Sequence, residues 1–190
     1  MITIDHMILG SPPAGFIFAR TGQGPQGEWT VTADPTALAG RAIEQTSTDR
    51  TDYRFPLAIH DGVSASNVDA EIRFKAVRGK IDQAAGIAVR LQDADNYYVA
   101  RANALEDNVR FHRVVGGRRQ QLSGANLKVI PNEWHTLGLR AEGESFIVAY
   151  DGKVLFSATD RTFTDAGGVA LWTKADSVTR FERVIVTPLP

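Results

Sequence analysis

Cysteine is absent from this 190-residue chain, which excludes disulfides and thiolate metal sites and leaves the compartment open. The start, Met1-Ile2-Thr3-Ile4-Asp5-His6, lacks the basic residues and long apolar stretch of a signal peptide. The chain is therefore expected to be either cytoplasmic or exported with its signal removed. No apolar run is long enough for a membrane span. An excess of charge is missing too: 21 Lys and Arg face 22 Asp and Glu, a net charge of -1. Nucleic-acid domains usually carry a basic surplus that neutralises phosphates, so no nucleic-acid partner is expected. The one basic-rich stretch is Arg110, His112, Arg113, Arg118 and Arg119. It places Arg110 and His112 on one strand face and Arg113 on the other, and reads as a solvated hairpin.

Helical periodicity is also lacking, and alternation takes its place. Val68, Ala70, Ile72, Phe74 and Ala76 point one way, while Asp69, Glu71, Arg73 and Lys75 point the other. That period of two belongs to a half-buried strand. Similar runs follow at 87–92, 97–103, 109–115, 134–141, 146–150, 154–156, 169–173 and 180–187, separated by Gly, Pro, Asn and Asp turns. Asp151-Gly152 between two apolar runs signals a tight hairpin whose central residues need positive φ. Residues 33–45 have room for a short helical turn after Asp34-Pro35, weakened by Gly40. The pattern predicts one all-β domain over 1–190, a two-sheet antiparallel β-sandwich of the jelly-roll kind, with an irregular N-terminal segment over about 1–28.

Catalytic motifs are scarce. The chain has no Gly-x-Ser-x-Gly elbow, P-loop or dinucleotide fingerprint. Asp93, Asp95 and Asn96 superficially resemble a calcium loop, but tyrosines at 97 and 98 break the EF-hand pattern, and a polar turn is the simpler reading. No cofactor is implied, and no metal site is expected. The four histidines, His6, His60, His112 and His135, form no i, i+4 ligand pair. Polar residues on strand-like segments are the better candidates for ligand contact: Arg90, Tyr98, Arg101, Asn103, Glu106, Trp172, Lys174 and Asp176. Aromatic rings stack on sugar faces while Arg, Asn and acidic groups satisfy hydroxyls, the usual mix of a small polar site.

The segment 85–98, AGIAVRLQDADNYY, resembles the concanavalin A-like lectin and glucanase superfamily, and so do 133–137, 150–153 and 168–177. Within it the chain is most similar to the laminin-G-like domains of the 3-keto-disaccharide hydrolase type, a bacterial group. The resemblance spans roughly Trp29 to Val186 and implies a concanavalin A-like jelly roll with a saccharide ligand. Relatives often carry Phe-Asp-Asp near the last strand where this chain has Phe181-Glu182-Arg183, which departs from any cation site that pair would support. The Glu-x-Asp-x-x-Glu strand of laminarinase-type glucanases is missing, which excludes their mechanism.

Three functions fit these residues. One is a carbohydrate-binding module with its ligand on a concave sheet face. The second is a hydrolase of 3-keto-disaccharides or related glycosides, with Glu106 or Asp176 as acid or base and Arg90, Arg101 or Lys174 stabilising an oxyanion. The third is a structural or assembly domain that uses its sheet edges.

Overall fold

The computed structural model describes residues 1–190 and contains strands joined by turns, without helices. The strands are β1 (Phe16–Gly22), β2 (Trp29–Ala33), β3 (Arg41–Gln45), β4 (Arg54–Ala65), β5 (Val68–Arg78), β6 (Ala84–Asp93) and β7 (Asn96–Asn103). They continue as β8 (Asn108–Val115), β9 (Arg118–Asn126), β10 (His135–Glu142), β11 (Ser145–Tyr150), β12 (Lys153–Thr159), β13 (Gly167–Trp172) and β14 (Val178–Pro188). Two seven-stranded sheets result, in the orders β1-β4-β13-β6-β7-β8-β9 and β12-β11-β10-β5-β14-β3-β2. All the pairings are antiparallel.

Alternation decides which side chains meet between the sheets. Val68, Ala70, Ile72, Phe74 and Ala76 of β5 all enter a shared core of 32 buried residues. Their neighbours turn outward, Glu71 to Arg183 at 2.9 Å and Asp69 to Arg140 at 3.5 Å. From the first sheet, Ile87 and Val89 of β6 and Tyr98, Ala100 and Ala102 of β7 enter the same core. The hairpin at Asp151-Gly152 is present between β11 and β12, with φ of 46° and 78° as its turn requires.

Two N-terminal regions differ from the sequence reading. Phe16–Gly22 lies inside the segment read as irregular, yet it pairs with β4 through seven residues. Residues 33–45 form turns and then β3 instead of a helical turn. The buried Asp34 carboxylate accepts from Thr36 N–H and Oγ1 at 3.0 and 2.6 Å, and it also faces Lys75 and Arg180. These bonds fix a tight reversal, which Gly40 completes at φ 66°.

One sheet is strongly rolled. Five inter-strand steps separate β4 from β9, about 24 Å in a flat sheet. The Tyr53 hydroxyl just before β4 nevertheless donates to Gly117 O at 2.9 Å and accepts from Arg119 N at 3.0 Å. Four steps separate β1 from β7, yet Thr21 Oγ1 lies 2.7 Å from the Tyr97 hydroxyl. The sheet must curl toward its outer side for these groups to touch. Its outer face therefore becomes concave and holds a second core of ten residues, among them Phe55, Leu57, Val99 and Trp172.

Candidate functional site

The concave face is built from every second residue of neighbouring strands. On β7 these are Tyr97, Val99, Arg101 and Asn103, opposite Val114, His112, Arg110 and Asn108 of β8. Gly86 and Ala84 of β6 stand beside Arg101 and Asn103, and Trp172 of β13 stands beside Gly86. Gly86 has to be small, because a Cβ there would lie 3.1 Å from the Trp172 ring and 2.9 Å from Ala100 O. Phe55 and Trp172 stack with centroids 5.3 Å apart and planes 14° from parallel. They form the apolar floor.

A polar network runs along one end of this floor. Arg101 donates to Asn108 Oδ1 at 2.6 Å and to Glu106 Oε2 at 3.0 Å. Asn103 donates its amide to Asp82, and its Oδ1 accepts from the N–H groups of Leu105 and Glu106 at 2.9 and 3.2 Å. Lys174 joins Asp82 to Asp52, the latter at 2.9 Å. Burial pushes the Lys174 ammonium down, but its bonds to Asp82 and Asp52 prevail and hold it above the usual lysine value. Burial likewise raises the Glu106 carboxyl, while Asn108 and Arg101 outweigh that and keep it below the ordinary range. Glu106 is thus a stable carboxylate at neutral pH, with 48% of its side chain exposed. It is not poised as a proton donor.

Beside the network lies a cluster of positive groups. Arg119 projects from β9 with its guanidinium carbon 4.7 Å from the Phe55 centroid and 6.0 Å from that of Trp172. Arg110 lies across Gly124 and donates to Ala125 O at 3.0 Å and Asn126 Oδ1 at 2.7 Å. His112 sits among Arg119, Arg101 and Arg110. Burial, followed by those three cations, lowers its pKa to about 3, so the ring is neutral near pH 7. Arg101 and His112 are each only 6% exposed. Arg101 Nε, His112 Nδ1 and Arg119 Nη1 are buried with no hydrogen-bond partner. Buried polar atoms are nearly always paired, and three of the chain's eleven unpaired ones share this face.

Of the eight residues singled out from sequence, the structure brings Arg101, Asn103, Glu106, Trp172 and Lys174 together here. Trp172 is fully buried beneath Arg119, so its ring supports the floor and offers no free face for stacking on a sugar. The other three lie elsewhere. Arg90, expected opposite the core face of its strand, sits at a bulge with φ 49°. That irregularity swings its guanidinium inward, over the Phe146 ring and onto the carbonyls of Ser66, Phe163 and Gly143 at 2.5, 2.9 and 2.7 Å. Tyr98 points into the core between the sheets, its hydroxyl 2.5 Å from Asp160. Asp176 accepts from the N–H groups of Lys80, Ile81 and Asp82 at 2.7 to 3.0 Å, which occupies its carboxylate with the loop before β6.

Asn108 was missed from sequence, and Arg110, His112 and Arg119 were read as part of a solvated hairpin rather than as site residues. The signal for the first three was the alternation Asn108-x-Arg110-x-His112, which matches Arg101 and Asn103 across one hairpin, whereas Arg119 comes from the next strand. Asp93 accepts from Asp95 N and Asn96 Nδ2 at 2.8 and 2.9 Å, the geometry of a polar turn. No group of three or more His, Cys, Asp or Glu side chains is arranged to hold a metal. Open clefts of about 510 and 550 Å³ lie elsewhere, near the N-terminus and around Arg78, Lys80 and Asn132. Neither is lined by Arg101, His112 or Arg119, although Asp176 lines the second, and Arg119 borders a further open cleft of about 430 Å³ with Arg113 and Arg118.

No protein-family model matches the chain, and no curated protein matches its sequence. Solved structures do match in fold. The carbohydrate binding module CBM66 from Bacillus subtilis aligns at a TM-score of 0.69 and 23% identity, covering 89% of this chain and 94% of that one. The exoplasmic/lumenal domain of VIP36 in its Ca2+/Man-bound form aligns at 0.64 and 13% identity, covering 94% and 84%. A Bacillus licheniformis beta-glucanase aligns at 0.61 and 13% identity, covering 96% of each chain. The two antiparallel sheets and these alignments give the chain a jelly-roll β-sandwich fold.

Proposed function

We propose that this chain is a carbohydrate-binding domain whose ligand sits on the concave face, against Arg101, Asn103, Glu106 and Lys174. The observation that carries this reading is the set of three orphaned polar atoms there, Arg101 Nε, His112 Nδ1 and Arg119 Nη1. Leaving such groups buried and unpaired costs about 1–3 kcal/mol each, and a ligand's oxygens would offset that cost. Sugars suit the task because each hydroxyl both donates and accepts, which matches a row of Arg, Asn, Lys and carboxylate groups. The structural neighbours that are named for carbohydrate binding, mannose or glucan lend support at the level of fold.

Binding is favoured over hydrolysis by two placements. Glu106 is held ionised by Arg101 and Asn108, and Asp176 is engaged by three backbone N–H groups. The test is a thermal-shift and calorimetry screen against neutral, acidic and keto oligosaccharides, using the native protein and Arg101→Met. A ligand at a hundred times its Kd should add about 2.7 kcal/mol of stability, and the variant should lose that gain while still melting cooperatively. Undiminished affinity in a folded Arg101→Met protein would move the site off this face. A blank screen in the native protein would sink the carbohydrate reading.

A further inference from the structure

We infer that the ligand is an acidic saccharide, whose anionic group sits between the Arg119 and Arg101 guanidinium groups above His112. This rests on the concave-face reading and narrows its ligand class. Arg110 pairs with Arg101 across β7 and β8, His112 follows Arg110 by two residues on the same face, Arg119 comes from the adjoining β9, and of the three arginines only Arg101 has a carboxylate partner, Glu106 at 3.0 Å. Arg110 donates to the Val109 and Ala125 carbonyls and to Asn126 Oδ1, and Arg119 lies over aromatic rings with Nη1 unpaired. Lys174 adds no free charge, because Asp52 and Asp82 flank it. The positive excess is thus confined to the Arg119 side of the groove.

Like charges crowded in a partly dry groove repel, and an anion placed among them relieves that repulsion. A guanidinium is suited to the part, since its fork of N–H donors matches a pair of anionic oxygens. Carboxylates and sulfates on sugars both present such a pair. The neutral imidazole adds one more hydrogen-bonding atom without a competing charge. Access requires that Arg119 lift from the Phe55 and Trp172 rings, where stacking holds it and Nη1 has no partner.

Matched pairs of oligosaccharides test the inference: trigalacturonate against galactotriose, glucuronate oligomers against glucose oligomers, and a sulfated galactose oligomer against its unsulfated form. Each is titrated into the native protein and into Arg119→Gln, with sodium acetate and sodium sulfate as ion-only controls. The expected result is that one acidic member binds at least roughly tenfold tighter than its neutral mate, about 1.4 kcal/mol. That preference should fall with added salt and vanish in Arg119→Gln. The His112 ring resonances should shift on binding in the native protein, a readout that holds even if the variant folds poorly. Uronate against sulfate arms identify which anion is read. Neutral sugars that bind as well as their acidic mates would overturn the acidic ligand and leave the carbohydrate site standing. Binding of acetate or sulfate alone, with no saccharide gain, would overturn both readings, as would no binding at all.

Discussion

His112 gives the sharpest test of the electrostatics described for the concave face. Its ring is buried beside Arg101 of β7, Arg110 of its own strand and Arg119 of β9, with Glu106 the nearby acid through Arg101. The folded pKa is about 3, against an ordinary value of 6.5. Because the folded value is the lower one, the unfolded chain binds the proton more tightly throughout that window. Stability is therefore complete above pH 6.5, declines as the pH falls, and stops declining through this group below about pH 3. Between pH 8 and pH 5 the linkage relation predicts a loss of about 2 kcal/mol. For a chain of this length that is a fall in Tm of about 4–8 °C. The carboxylates held low in the fold, including Asp34, Glu106 and Asp160, exert their main effect at lower pH and leave this window nearly clear. The assay is urea unfolding at pH 8 and pH 5 for the native protein and for His112→Gln. The variant should lose most of the pH dependence. Equal slopes in the two proteins, or a His112 resonance titrating near pH 6.5, would refute the arrangement of the three arginines around the ring.

Trp172→Ala should destabilise the fold by about 3–5 kcal/mol, since it empties a fully buried site in the second core; a change below 1 kcal/mol in the urea midpoint analysis would count against that core. Arg90→Leu should lower stability by at least about 2 kcal/mol by stranding three carbonyls, and it should leave ligand affinity per folded molecule unchanged. Calorimetry on the folded fraction checks the second half of that prediction. Asp176→Ala frees the N–H groups of Lys80, Ile81 and Asp82 and should cost about 1–3 kcal/mol; faster amide hydrogen exchange at those three residues would show the loop loosening.

The strand pattern was legible because period-two alternation is a local property. Val68 to Ala76 could serve only as a half-buried strand, and Asp151-Gly152 only as a turn with positive φ. β1 to β4 and β9 were not read as strands; of these Phe16–Gly22, Arg41–Gln45 and Arg118–Asn126 lack clean alternation and owe their conformation to the strands they pair with. The site divides in the same way. Arg101 and Asn103 share a face by spacing alone, so their company could be expected. Arg90 could not be placed, because one bulge reverses the direction of its side chain.

From its residues alone, then, this chain is bound to be an antiparallel β-sandwich without disulfides, with Arg101 and Asn103 projecting side by side from one strand. Alternation and turn chemistry act over a few residues, and nothing distant has to be known to apply them. The rolling of one sheet is a different matter. It brings β9 over β4, lays Arg119 on Phe55 and Trp172, and converts a row read as a solvated hairpin into three cations around a neutral imidazole. That outcome depends on summed twist and on contacts between residues more than sixty positions apart, which only the tertiary structure brings within reach.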